Sequence, residues 1–230
     1  YAAERCVAGA FGYAGQTCIS VQRVLVQQSV YGKFIDLFLA GVKKLRTGDP
    51  LDGTTDVGPL IRESDAIRAT DWIQEAVRGG ARVVCGGNRN GSLVEPTVLT
   101  GTRSDMKVNC QEIFAPVVTV EPYGEFDEAL RQINGSAYGL QAGIFTRDAK
   151  LMFQAFEELE VGGLLVLVLV LVRLLVLVGL GLVRVVLVWV GLVERQLVQG
   201  EGHQRVRVRV GVGLRGQHRR RRPLTLTATH

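Results

Sequence analysis

The composition of the chain changes abruptly near residue 160, and this break limits how much of it one ordinary fold can include. From 164 to 215 only eight residue types are used, Leu, Val, Arg, Gly, Glu, Gln, His and Trp, whereas residues 1–160 use every type except His. The charge divides at the same place. Residues 1–160 hold 16 Lys/Arg against 20 Asp/Glu, and residues 161–230 hold 11 against 2. The overall net charge of +5 is therefore a body of −4 with a tail of +9. A basic balance confined to the tail gives no reason to treat the body as a polyanion-binding surface. The expected division is a body over residues 1–166 and a low-complexity tail over 167–230.

Three readings of the tail compete. A membrane span is disfavoured, because the longest uncharged run, residues 161–172, has 12 residues, and about 20 are needed to cross a bilayer. Arg173 and Arg184 would each add about 2.5–3.5 kcal/mol to insertion. The arginines at 205, 207 and 209 and the run 219–222 would attract polyanions in a salt-sensitive way, yet no aromatic residue interleaves them to stack on bases. The third reading is an out-of-frame tract: by the codon table, none of the eight residue types requires A as first base and none has C as second. The tail is expected to be irregular, and its alternating Val/Leu stretch is prone to β-aggregation.

In the body, periodicity alternates between strand and helix. Ala3, Val7, Ala10 and Phe11 recur at helical spacing until Gly12 and Gly15. Residues 21–27 read as a strand. Ser29 is then a candidate N-cap for a helix whose stripe is Tyr31, Phe34, Ile35, Phe38, Val42 and Leu45, ended by Gly48-Asp49-Pro50. A second helix is predicted from about Ser64 to the Gly79-Gly80 stop. Strands follow at 81–85, 93–99 and 116–120, then a helix over 126–133, a strand over 141–145 and a helix over 148–159. Strands separated by helices of this length imply an α/β fold with an open, largely parallel sheet and flanking helices.

Chemistry in the body has few carriers. With no histidine, Cys–His and Ser–His pairs are excluded there. Cys6, Cys18, Cys85 and Cys110 form no C-x-x-C pair, so no metal site is expected. The N-terminus shows no charged-then-apolar leader and no initiator methionine, so the expectation is a fragment from a reducing cytoplasm with free thiols. Cys18 is the best candidate nucleophile, since Gly15-Gln16-Thr17-Cys18-Ile19-Ser20 falls between a helix and a strand, where α/β folds present reactive groups. A free cysteine is equally a small buried hydrophobe, and Cys6 and Cys85 suit that reading better. Gly9, Gly12 and Gly15, and the pair Gly86-Gly87, lack the strand–turn–helix context of a dinucleotide fingerprint and read as packing or turn glycines. Glu112 and Phe114 put an acid and an aromatic on one side of an extended segment, which alone is compatible with a solvated charge beside a core ring.

Five motifs in order add to this reading: Phe11-Gly-Tyr-Ala-Gly-Gln-Thr-Cys-Ile-Ser-Val-Gln-Arg23, Gly48-Asp-Pro50, Val57-Gly-Pro-Leu-Ile61, Gln111-Glu-Ile-Phe-Ala-Pro116 and Asn134-Gly-Ser-Ala-Tyr-Gly-Leu140. Together they make residues 1–166 resemble the catalytic half of an aldehyde dehydrogenase. The resemblance implies that Cys18 is the thiol that adds to an aldehyde carbonyl, with its backbone N–H facing the oxyanion. It implies that Glu112 binds the nicotinamide ribose hydroxyls and that Phe114 lies against the nicotinamide, the cofactor being NAD or NADP. It also implies a small-molecule aldehyde as substrate and a homo-oligomer, with no nucleic-acid or membrane partner. Gln111 replaces the first acid of the family's usual Glu-Glu-x-Phe-Gly-Pro run, and Ala115 replaces its glycine. The family's dinucleotide-binding half, oxyanion asparagine, phosphate-contacting lysine and general-base glutamate match nothing in this chain, so little activity is expected of it alone. The alternatives are a non-catalytic remnant, or a polyanion- or membrane-associating protein acting through the Arg-rich tail.

Overall fold

Each helix of the N-terminal half buries one stripe. In the computed structural model, which describes residues 1–167, α1 (Ala2–Phe11) buries Ala3, Cys6, Val7, Ala10 and Phe11. The interpretations of the tail concern residues outside the described part. A short 3-10 segment, Gly12–Gly15, follows α1. Strand β1 (Arg23–Gln27) runs straight into α2 (Gln28–Val42), and α3 (Glu63–Arg78) buries Ala66, Ala69, Thr70, Ile73 and Ala76. Then come β2 (Arg82–Cys85), β3 (Arg89–Asn90), β4 (Leu93–Val94), β5 (Thr97–Thr100), α4 (Lys107–Cys110) and β6 (Val117–Tyr123). The described part ends with α5 (Phe126–Asn134), β7 (Gln141–Phe145), α6 (Ala149–Glu158) and β8 (Gly163–Leu167).

The main sheet has the order β1-β6-β5-β2, with β1/β6 and β5/β6 parallel and β2/β5 antiparallel. The expected open, largely parallel sheet is present. Its antiparallel member has a simple cause, since β2 returns to β5 through the β3–β4 hairpin and no crossover helix intervenes. The core runs from α1 and α2 over this sheet to the inner face of α3. Val24, Val26, Val118 and Val120 are buried together with Phe38, whose ring stacks on Phe34 at 5.7 Å and lies 6.3 Å from Phe11. A second, two-stranded sheet pairs β7 with β8 in parallel, with α6 as the connection.

Four local expectations need correction. Ser29 is not the cap of α2: the Gln27 side chain accepts from Ser29 N at 3.2 Å, so the cap is the last residue of the strand itself. α2 ends at Val42, where Lys44 N and Leu45 N turn to i−3 carbonyls and tighten the chain before Gly48 is reached. The strand expected over 93–99 breaks at Glu95-Pro96: Glu95 N still follows the β3–β4 register to Asn88 O, whereas Pro96 has no N–H for a ladder and the chain then passes to the main sheet as β5. The one-turn helix α4 has no counterpart in the periodicity, being too short to show any.

Candidate functional site

The turn that carries Cys18 is held at both ends. Before it, Tyr13, Ala14 and Gly15 have φ of 52°, 56° and 69°, three successive left-handed residues that reverse the chain after α1. After it, Ser20 N donates to Thr17 O at 3.0 Å, and Ser20 Oγ and Val21 N return to the C-terminal carbonyls of α1, Val21 N reaching Gly9 O at 3.0 Å. Gly9 permits that return: a Cβ there would lie 2.8 Å from Val21 Cγ2. Between these anchors Cys18 is exposed, and its backbone N–H donates to no protein acceptor among the described residues.

The other thiols sit differently. Cys6 is buried in α1, and burial pushes its pKa up to about 11, because the thiolate would lose its water. Cys85 and Cys110 are half-buried, and Cys110 Sγ donates to Asp105 O at 3.4 Å. Among the described residues no group of three or more His, Cys, Asp or Glu side chains is placed to hold a metal ion, and no helix is long and apolar enough to cross a membrane.

Gly15 joins the thiol turn to the segment with Glu112 and Phe114. A Cβ on Gly15 would meet the Ala115 carbonyl oxygen at 2.1 Å, so the two backbones touch where no side chain fits. Glu112 is exposed and its carboxylate accepts no hydrogen bond among the described residues, while Ile113 is buried and Phe114 is half-buried. The segment is not uniformly extended as expected. Phe114 has φ 49°, the left-handed region, which turns its ring out of the plain strand alternation. Ala115 is buried and is not a left-handed residue, so this position makes no conformational demand for glycine.

Two glutamines that the sequence did not single out tie the motifs together. Gln16 Nε2 donates to Pro59 O at 3.5 Å and its Oε1 accepts from Ile61 N at 3.0 Å, which anchors residues 57–61 to the thiol turn. Gln22 bonds to Val108 O, Gln111 O and Ile113 N. Residues 48–50 join the same set, since Gly48 N donates to Val57 O at 3.1 Å. The fifth motif stands apart. Asn134 bonds to Glu158 O and Glu160 N, Gly162 N donates to Gly139 O, and Asn134, residues 136–140 and residues 160–162 line an open cavity of about 410 Å³. Among the described residues no hydrogen bond connects it to the Cys18 turn. The sequence signal for the glutamines was only their place at −2 and +4 from a cysteine, with partners far along the chain.

A model of the aldehyde dehydrogenase family matches residues 1–168. The putative aldehyde-dehydrogenase-like protein y4uC of Sinorhizobium fredii is 46% identical over 165 residues, which are 72% of this chain and 32% of that protein. Among solved structures, aldehyde dehydrogenase 21 of Physcomitrella patens, in complex with the reaction product succinate, is 42% identical with a TM-score of 0.71, over 72% of this chain and 34% of that one. The glyceraldehyde-3-phosphate dehydrogenase GapN of Methanocaldococcus jannaschii, complexed with NADP, is 37% identical with a TM-score of 0.69, over 71% and 36%. The chain thus spans about a third of the length of the proteins it matches. Matched in sequence over residues 1–168 and in fold over 72% of its length, this chain belongs to the aldehyde dehydrogenase family.

Proposed function

We propose that residues 1–166 are the thiol-bearing part of an NAD(P)-dependent dehydrogenase that oxidises a small-molecule aldehyde to a carboxylic acid, with residues 167–230 a separate tail that takes no part in the chemistry. The observation that carries this reading is the contact of Gly15 with Ala115, which sets an exposed thiol beside a segment bearing an uncommitted carboxylate and an aromatic ring. Cys18 Sγ, as thiolate, adds to the aldehyde carbon. The C–S bond forms, the carbonyl π pair moves to oxygen, and the unengaged N–H of Cys18 is available to that oxyanion. Glu112, whose carboxylate has no partner among the described residues, can accept hydrogen bonds from the two hydroxyls of a ribose, and the half-buried Phe114, two residues on, offers an apolar ring. NAD or NADP, when bound, would supply the hydride acceptor for the oxidation. The resulting thioester on Cys18 would then be cleaved by water, which breaks the C–S bond, adds oxygen to the carbonyl carbon and returns the thiol. Among the described residues, Glu112 and Phe114 are the two side chains proposed to meet the cofactor. The whole protein is proposed to work as a homo-oligomer in the cytoplasm.

Timed alkylation with iodoacetamide, read by mass spectrometry, tests the assignment. Cys18 is expected to label fastest of the four thiols, at least about tenfold faster than buried Cys6, and added aldehyde should slow its labelling by occupying the sulfur. Labelling of Cys18 no faster than that of Cys85, and indifferent to aldehyde, would overturn the nucleophile assignment.

A further inference from the structure

We infer that Gln22 is a positioning residue: its single side-chain amide fixes the backbone on both sides of Glu112 relative to the strand that follows Cys18. The inference rests on the reading of Cys18 and Glu112 given above. Gln22 is half-buried at the entrance to β1, four residues after Cys18. Its Nε2 donates to Val108 O at 2.9 Å and to Gln111 O at 2.7 Å, and its Oε1 accepts from Ile113 N at 3.2 Å. The Gln111 carbonyl and the Ile113 N–H belong to the two peptide groups that flank Glu112. Both amide protons and the amide oxygen of Gln22 are therefore engaged, and all by backbone 86 to 91 residues away.

The geometry also fixes which way the amide points. Reversed, its oxygen would face two carbonyl oxygens and its NH₂ would face an N–H, so only one orientation is satisfied. Gln22's own backbone is held as well, because its carbonyl accepts from Thr119 N at 2.9 Å in β6. The side chain thus works from a fixed base. It carries the position of the β1 entrance, and with it the end of the thiol turn, to the peptide groups around Glu112. A glutamine is needed because one group must donate twice and accept once. A leucine fills similar space without doing either, and a glutamate at neutral pH accepts but cannot donate.

Amide exchange on the 230-residue chain tests this with Gln22→Leu and Gln22→Glu. In Gln22→Leu, exchange at Ile113 and through residues 111–116 should quicken by roughly tenfold, the loss of about one hydrogen bond's net protection, while exchange in α1 and in β5–β6 stays as in the parent. In Gln22→Glu one carboxylate oxygen could still accept from Ile113 N, but the other faces the carbonyls of Val108 and Gln111, and that repulsion is expected to drive the side chain from its place. Protection at Ile113 should therefore be low at neutral pH and should recover as pH falls toward the carboxyl titration at about 4, where the protonated acid regains a donor and can sit between the carbonyls and the N–H. A side chain that only fills space would show no such recovery. Unchanged exchange at Ile113 in Gln22→Leu, or a loss of protection spread evenly over the described part, overturns the inference. If Gln22→Leu fails to fold, the pH dependence of Gln22→Glu decides alone, its absence counting against the inference. The alkylation experiment fails separately: a sluggish Cys18 removes the nucleophile and leaves the Gln22 clamp standing, whereas unaltered exchange removes the clamp and leaves the nucleophile.

Discussion

Gly15 is the residue at which the two halves of the site have the least room. Its φ of 69° and the 2.1 Å approach that a Cβ would make to the Ala115 oxygen act in the same direction, one as backbone strain and the other as a collision with rigid main chain. Gly15→Ala is expected to destabilise the fold by about 2–4 kcal/mol in urea titration and to separate Cys18 from the Glu112 segment. A midpoint equal to the parent's would show that the contact yields easily. Residue chemistry made Cys18, Glu112 and Phe114 legible in the sequence, because thiol, carboxylate and ring announce what they can do. Conformation at the same positions was not legible. Tyr13, Ala14 and Phe114 carry positive φ without the glycine or asparagine that normally marks it. Gln22 looked like any polar residue at the edge of a strand, since its partners are almost ninety residues away and nothing local names them.

Elements followed periodicity wherever they were long enough to have a period. α1, α3 and α5 come within a few residues of their predicted bounds, and β1, β2 and β7 do so as well. Departures occur where a backbone group overrides the side-chain pattern. Pro96 divides a run whose apolar residues read as one strand, and α4 is a single turn with no repeat to detect. α6 supplies a test at this scale, because its start depends on one cap. The Asp148 carboxylate accepts from Lys150 N at 2.8 Å, satisfying one of the free N–H groups of the first turn. Asp148→Ala should cost about 1 kcal/mol, seen as faster amide exchange in α6 and in the β7–β8 pair and little change in the main sheet. Equal loss across both sheets would mean that the two fold as one unit.

For the whole molecule, the main consequence is the third of a relative's length that this chain covers. Purified by itself, the 230-residue chain is expected to show little or no NAD- or NADP-linked aldehyde oxidation, measured as reduced cofactor absorbance, because no histidine or matched general base stands in residues 1–160 to activate water. Turnover at an ordinary enzymatic rate would show that the described residues hold a base and a cofactor site not recognised in them. The three left-handed residues at 13–15 have a further meaning at this scale. Left-handed backbone lies about 1–2 kcal/mol above its right-handed counterpart for a residue with a Cβ, so a free peptide copying residues 11–23 would not keep this turn. The position of the Cys18 sulfur is therefore held by the end of α1 and by the Ala115 segment, and unfolding that parts either from the turn would lose it with the thiol chemically unchanged.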